Sequence, residues 1–167
     1  MSPAFVIQHH LATADHYDFR LEIDGVLASW AVPKGPSTDP RVRRYAKRVG
    51  DHDLDYRDYE GVLSVQRRGG GIVQVWDRGT FDNVSKRKST AISAAEALAD
   101  GHLSFVLHGE KVRGGYSLIR TRGDDDAWLL IKKADAEADA RRNPTSTENE
   151  SVLTGRTLEQ IEADGVE

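Results

Sequence analysis

The chain has no cysteine, a single methionine and only five prolines in 167 residues. Without thiols, disulfides and thiolate metal sites are excluded, so a bound metal must be held by imidazole nitrogen and carboxylate oxygen. No apolar run approaches the length needed to cross a bilayer and nothing resembles a secretion signal, which sets the expectation of a soluble, cytoplasmic protein. Positive charge is in deficit, with 23 lysines and arginines against 27 acidic residues and a formal net charge of −4. That balance weighs against indiscriminate binding to nucleic acid, which phosphate neutralisation drives. Hydrophobic residues make up only 38% of the chain, yet they fall in short runs between turn signals, as in a folded domain with a polar surface. No internal repeat is visible.

The charge that is present is clustered. Arg41, Arg43, Arg44, Lys47 and Arg48 form a basic run and Arg67 with Arg68 a second, whereas Asp124, Asp125, Asp126 and the C-terminal region are acidic. A local basic surface on an acidic protein is therefore compatible with the net charge. Three of the six histidines lie between Gln8 and Arg20. If His16 to Ile23 is a strand, alternation puts His16, Asp18 and Arg20 on one face and Tyr17, Phe19 and Leu21 on the other.

Hydrophobic alternation and turn residues predict many short strands. Ala4–Ile7 reads as the first, with Leu11–Asp15 as a connection. His16–Ile23 meets Asp24-Gly25, a dipeptide suited to a tight hairpin, and Val26–Val32 is the return strand. Pro33 to Pro40 is a loop that holds Lys34 on defined backbone. Arg43–Val49 is compatible with a strand or a helical turn. Ile72–Trp76 is strongly β-like and Asp77-Arg78-Gly79-Thr80 reads as a turn closing it. A capping box at Ser93-Ala94-Ala95-Glu96 opens one short helix that ends near Gly101. His102–His108, Val112–Thr121 and Trp128–Lys132 read as further strands. The expected fold is mainly β: a small closed or partly open barrel of about eight antiparallel strands with one or two short helices. Residues 1–133 would form the barrel and 134–167 a tail, with a polar helix over Asp135–Arg142, a linker-like stretch over Asn143–Glu150 and at most one capped turn at Thr157–Ile161.

His10, His16 and Asp18 suit a site of two imidazoles and one carboxylate for a divalent transition ion; they equally suit a solvated polar strand. His9 would point away from His10. Arg20 shares the face of His16 and Asp18, and a guanidinium matches a phosphate bidentately. His52, between Asp51 and Asp53, could act as acid, base or hydrogen-bond donor, and Tyr56 could donate to a phosphate oxygen or merely pack. His102 and His108 read as exposed, and Trp30, Trp76 and Trp128 as core.

Several strings are collinear with one family. Phe5-Val6-Ile7-Gln8-His9-His10, His16-Tyr17-Asp18-Phe19-Arg20-Leu21-Glu22, Trp30-Ala31-Val32-Pro33-Lys34-Gly35-Pro36, Asp51-His52-Asp53-Leu54-Asp55-Tyr56, Glu60-Gly61-Val62, Val75-Trp76-Asp77-Arg78-Gly79-Thr80 and Leu107-His108-Gly109-Glu110 follow in order. From about Phe5 to Lys133 the sequence closely resembles the 3′-phosphoesterase domain of bacterial DNA ligase D. The resemblance implies a β barrel that uses manganese, with zinc or another divalent transition metal as alternatives. It implies trimming of DNA 3′ ends in non-homologous end joining by removal of a 3′-terminal ribonucleoside and then the 3′-phosphate. It makes His10, His16 and Asp18 the metal ligands, Arg20 and His52 the phosphate-binding and transition-state residues, and Gln8, Lys34, Arg44 and Tyr56 substrate-binding contacts. The basic run around Arg44 would face DNA at a primer-template or nicked duplex. Implied partners are polymerase and ligase domains and an end-binding protein, in a nucleoid-associated setting.

Three departures stand out. Gly50 occupies the place of an acidic residue two positions before the catalytic histidine. Ser64 to Gly69 replaces a Pro-Glu-Gly-x-Tyr-Gly type loop, and the basic, proline-rich arm before the first strand is absent from this sequence. The alternatives they leave are a weakly active or non-catalytic DNA-end or partner-binding module and an RNA 3′-end phosphatase, either as an excised module or as a free-standing chain.

Overall fold

The computed structural model describes residues 2–63 and 71–165; the stretch Ser64 to Gly69 lies outside the described residues. Asp24 and Gly25 both take positive φ, 53° and 81°, the requirement of a two-residue hairpin turn. That turn joins β2 (Asp15–Ile23) to β3 (Val26–Val32) and fixes their register, so Arg20 faces Ser29 and Asp18 faces Ala31. On its other edge β2 pairs with β1 (Ala4–Leu11), which runs through the histidine pair instead of stopping at Ile7.

β4 (Arg43–His52) is a strand, pairing with β3 across a bulge. A 3-10 turn at Leu54–Asp58 and the short β5 (Gly61–Leu63) follow. β6 (Gly71–Asn83) continues straight through the Asp77–Thr80 segment expected to turn. The reason is pairing on both sides: Thr80 bonds along β1 while Gly79 faces Gly109 of β9 (His102–Gly109). The backbones come so close there that a Cβ on Gly79 would lie 2.0 Å from the His108 carbonyl oxygen. A two-residue ribbon, β7 (Lys86–Arg87) with β8 (Thr90–Ala91), precedes α1 (Ala94–Asp100). α1 has the expected Ser93/Glu96 capping box and ends at a left-handed Gly101. β10 (Arg113–Arg120) and β11 (Ala127–Lys132) return to β4.

The strand order β1-β2-β3-β4-β11-β10-β9-β6, with β6 pairing back to β1, closes an antiparallel barrel, and β5 extends the sheet beyond β6. Closure removes the free edges an open sheet would expose. Inside lie Phe19, Trp30, Trp76, Phe105, Tyr116 and Trp128, all essentially without solvent exposure. None of the described helices is long and apolar enough to cross a membrane.

Residues beyond β11 differ from expectation. Asp135–Arg142 is not helical, because the Asp135 carboxylate is engaged by Lys132 Nζ and by the Gly115 and Glu137 N–H groups, which fixes a turn instead. The linker-like stretch contains a single helical turn, α2 (Pro144–Thr147). Thr157 caps a two-turn helix, α3 (Leu158–Asp164), whose Ile161 is buried. Three short helices are thus present among the described residues, one more than the upper expectation. The tail lies on the barrel: Trp76 Nε1 donates to Glu148 O at 2.7 Å, Gln74 Nε2 to Asn149 O at 2.7 Å, and Val152 N to Val75 O at 3.0 Å.

Candidate active site

Because Phe5, Ile7, Tyr17, Phe19 and Leu21 face the core, alternation turns Gln8, His10, His16, Asp18 and Arg20 to the outside of the barrel wall. Antiparallel register sets His10 directly across from His16 and Gln8 across from Asp18. The ligand atoms of His10, His16 and Asp18 lie within 4.8 Å of one another. Asp18 Oδ1 is 3.1 Å from His16 Nε2, and its Oδ2 is 3.5 Å from His10 Nδ1. Burial would push the Asp18 carboxyl up, but hydrogen bonds from His10 and His16 and the charge of Arg20 outweigh it and hold the group well below the usual carboxylate range. An ionised carboxylate and two imidazoles on one side form a nitrogen and oxygen donor set with open positions, which fits a divalent transition ion. Among the described residues it is the one such group.

Arg20 is 3% exposed and braced on several sides. Its Nε donates to Gln8 Oε1 at 2.7 Å, one terminal nitrogen donates to Ser29 Oγ at 2.8 Å, and the other lies 3.4 Å from Asp18 Oδ2. Burial lowers its pKa, and the neighbouring Asp18 opposes that shift. A guanidinium offers five N–H donors in a fixed fork, so these contacts do not exhaust its donors, and Arg20 lines the cleft. Ser29 carries no motif; the signal that finds it is the hairpin register, which places it opposite Arg20.

The other wall comes from the end of β4 and the segment after it. His52 and Tyr56 rings are 4.6 Å apart, Tyr56 stacks on Tyr59 at 5.2 Å, and the Arg20 guanidinium lies 5.1 Å from the Tyr56 ring. Burial and the charge of Arg20 lower the His52 pKa, favouring neutral imidazole. His52 and Tyr56, with Val49, Gly50 and Leu63, line an open cleft of about 540 Å³ opposite the metal-ligand candidates.

The expected site residues thus divide. His10, His16, Asp18, Arg20, His52 and Tyr56 line one cleft. Gln8 is wholly buried behind it, its amide spent on Arg20 and on the carbonyls of Tyr56 and Tyr59. Lys34 is exposed on the turn after β3 and is not among the cleft-lining residues. Arg44 faces Leu130, a core residue, which puts it on the inner face of β4. His9 turns the other way, stacked at 4.1 Å on Tyr17 and 2.6 Å from Asp15. His102 and His108 are exposed.

The fold and the site together define a class: a closed antiparallel barrel with two histidines and one carboxylate, a donor set that could hold a metal ion, beside a buried arginine. The family profile of the DNA Ligase D 3′-phosphoesterase domain matches residues 8–120, and the chain belongs to that family. It is 47% identical over 158 residues to the multifunctional non-homologous end joining protein LigD of Pseudomonas aeruginosa, covering 92% of this chain and 18% of the relative. The match to the multifunctional non-homologous end joining DNA repair protein LigD of Mycobacterium tuberculosis is 42% over 125 residues, covering 75% of this chain and 15% of the relative. The Mycolicibacterium smegmatis LigD is 37% identical over 131 residues, covering 78% and 17% respectively. The chain therefore spans less than a fifth of the length of the curated relatives it matches.

Proposed function

We propose that this protein is a manganese-dependent phosphoesterase that processes DNA 3′ ends during non-homologous end joining, hydrolysing a 3′-phosphate to a 3′-hydroxyl. The observation that carries the reading is the meeting of the His10, His16 and Asp18 donor set with the braced Arg20 guanidinium in one cleft. An ion held by those ligands would polarise a phosphoryl oxygen and lower the pKa of a bound water. The donor set also suits zinc or another divalent transition ion, and manganese is taken from the family resemblance.

Arg20 binds the non-bridging phosphate oxygens. Since Gln8 and Ser29 hold its orientation before substrate arrives, little reorganisation remains at the moment of reaction. His52, on the facing wall, donates a hydrogen bond to the phosphoryl oxygens as charge builds on them, and Tyr56 orders the rings that flank it. Water adds to phosphorus, the bond to the 3′ oxygen breaks, and the departing oxygen takes a proton to become the hydroxyl. The substrate is the 3′ end of a primer-template or nicked duplex. Arg43, Tyr45 and Lys47 are exposed on β4, on the same face as Val49 of the cleft, and offer cations and a ring to the DNA leading into it. In this reading the chain is one module of an end-joining assembly that includes polymerase and ligase activities and an end-binding protein.

Incubating the protein with a primer-template bearing a 3′-phosphate, with and without manganese, tests the reading. Conversion to the 3′-hydroxyl only with the metal, lost in His10→Ala and His52→Ala, is expected; no conversion with enzyme in excess overturns it. Gly50, open on the cleft wall where the resemblance places a carboxylate, favours a second reading in which activity is weak and the chief role is end binding. That reading expects DNA-end binding that survives His10→Ala and His52→Ala without turnover.

A further inference from the structure

Tyr56, Tyr59 and Glu60 lie in an arch, residues 53–60, that joins β4 to β5 and contributes Tyr56 to the cleft wall; its regular structure is the one 3-10 turn. Its 3-10 turn buries no residue completely. An exposed ion pair between Arg78 and Asp58 at 3.0 Å adds little. Beyond it, β5 pairs with β6 through Gly61, Val62 and Leu63, and among the described residues three further attachments bear on the arch itself. Gln8 Nε2 donates to Tyr56 O at 2.9 Å and Tyr59 O at 3.1 Å. Leu54 and Tyr56 pack on an apolar cluster of Val6, Leu27 and Val75 outside the main core, where Val152 of the C-terminal segment also packs. The third is Glu60, whose side chain is 2% exposed.

Glu60 Oε1 accepts the Val75 N–H at 2.8 Å, while its Oε2 accepts from the Thr154 hydroxyl and from an Arg156 terminal nitrogen at 3.1 Å. Hydrogen bonds from Ser151, Thr154, Val75 and Arg156 outweigh burial and keep the Glu60 carboxyl below its ordinary range. The partners from the tail are themselves fixed. Ser151 Oγ accepts the Leu153 and Thr154 N–H groups at 3.0 Å each, Ser151 N donates to Arg156 O at 2.9 Å, and Gly155 turns the chain at φ 76°. Arg156 O also accepts Gln74 Nε2 at 2.9 Å, and Arg156 pairs with Asp164 at 3.1 Å.

We infer that residues 151–156 are a positioning element of the active site: Thr154 and Arg156 clamp Glu60, the clamped arch presents the Tyr56 and Tyr59 carbonyls to Gln8, and Gln8 holds Arg20 in its phosphate-binding orientation. The same Gln8 amide that donates to the two carbonyls accepts the Arg20 Nε–H at 2.7 Å. If the arch lifts, the amide loses the acceptors that set its direction, and the guanidinium loses the partner that sets its own. The inference rests on the phosphoesterase reading for what Arg20 binds, but not for the linkage itself.

The test uses the whole chain carrying Arg156→Met with Thr154→Val, and separately Glu60→Gln, with Arg156→Lys as the conservative variant. In metal-free protein, exchange of the Arg20 Nε–H followed by NMR is expected to be at least about tenfold faster in the first two variants than in wild type and close to wild type in Arg156→Lys. With manganese and a 3′-phosphate primer-template, kcat is expected to fall about tenfold while manganese affinity stays within about twofold, and Arg156→Lys to recover most of the loss. Unchanged exchange in both disrupting variants overturns the inference, as does loss of manganese affinity in proportion to kcat, which marks general loosening. Wild-type protein without turnover overturns the phosphoesterase reading alone, and the exchange measurement still decides the linkage.

Discussion

Gly50 lines the cleft two residues before His52, and a Cβ built there meets no atom within 4 Å. It is absent from the positive-φ glycines, so a larger residue enters without backbone strain. Gly50→Glu would add a carboxylate to the cleft wall, and in the proposed complex with a 3′-terminal ribonucleoside we expect it to accept a hydrogen bond from the 2′-hydroxyl. We expect turnover of a primer ending in a 3′-ribonucleoside to rise by about tenfold, near the worth of one hydrogen bond to a charged acceptor, with little change for a 3′-phosphate. Comparing the two substrates checks this, and an equal change on both would count against a 2′-hydroxyl contact. The residues at the heart of the site were readable because strand alternation alone places His16, Asp18 and Arg20 on one face. Ser29 follows equally from a two-residue turn at Asp24-Gly25, whose register sets it opposite Arg20. Lys34 and Arg44 came from collinearity, which reports position along the chain and not the direction of a side chain. The structure puts one on an exposed turn and the other on the inner face of β4.

At the level of elements, hairpins were legible wherever a turn demanded special backbone, as at Asp24-Gly25, and the helix at Ser93 because a capping box is a local signal. β6 runs on where a turn is expected because Asp77-Arg78-Gly79 has the composition of a turn while serving other ends. Asp77 is wholly buried and accepts the Glu110, Lys111 and Val112 N–H groups at 2.9–3.1 Å, anchoring the β9–β10 connection. Gly79 is small because β9 passes directly over it. Gly79→Ala should therefore force β6 and β9 apart and cost about 3 kcal/mol, toward the upper end for overpacking. Urea unfolding should show a lower midpoint at unchanged slope, with the largest gain in amide exchange along β9; a midpoint equal to wild type would mean that the seam relaxes freely. Apart from the Thr157 cap that opens α3, the tail gave no comparable signal. Thr145, Glu148, Asn149 and Arg156 are held through their backbone carbonyls, accepting from Tyr17, Trp76, Lys111 and Gln74, and a carbonyl is the same in every residue.

Across the whole molecule, the contact between barrel and tail turns on Lys111, a buried cation that the charge pattern did not single out. It is 8% exposed, sits 4.6 Å from the Trp76 ring, and donates to Glu148 O at 2.9 Å and to Glu150 O. Burial lowers its pKa to about 8, against the opposing pull of Asp77, Glu148, Glu150 and Glu110. In the unfolded chain the same amine titrates near its ordinary value of 10.5. Below about pH 8 both states carry the proton and the fold bears the full cost of the buried charge. Between about pH 8 and 10.5 the unfolded state binds more protons, so this group's contribution to stability rises with pH. The shift corresponds to roughly 3 kcal/mol at its limit. Tyr17 acts in the opposite sense at higher pH, since burial raises its hydroxyl to about 12 and the unfolded phenol ionises first. The comparison should therefore be made below pH 10, between wild type and Lys111→Met, which keeps the stem on Trp76 and removes the titrating group. Urea unfolding at pH 7.5 and 9.5 should show the stability of wild type relative to the variant increasing by about 2 kcal/mol over that interval. A difference independent of pH would mean that Lys111 keeps its proton throughout, and that the tail is docked on a cation solvated well enough to bear no cost.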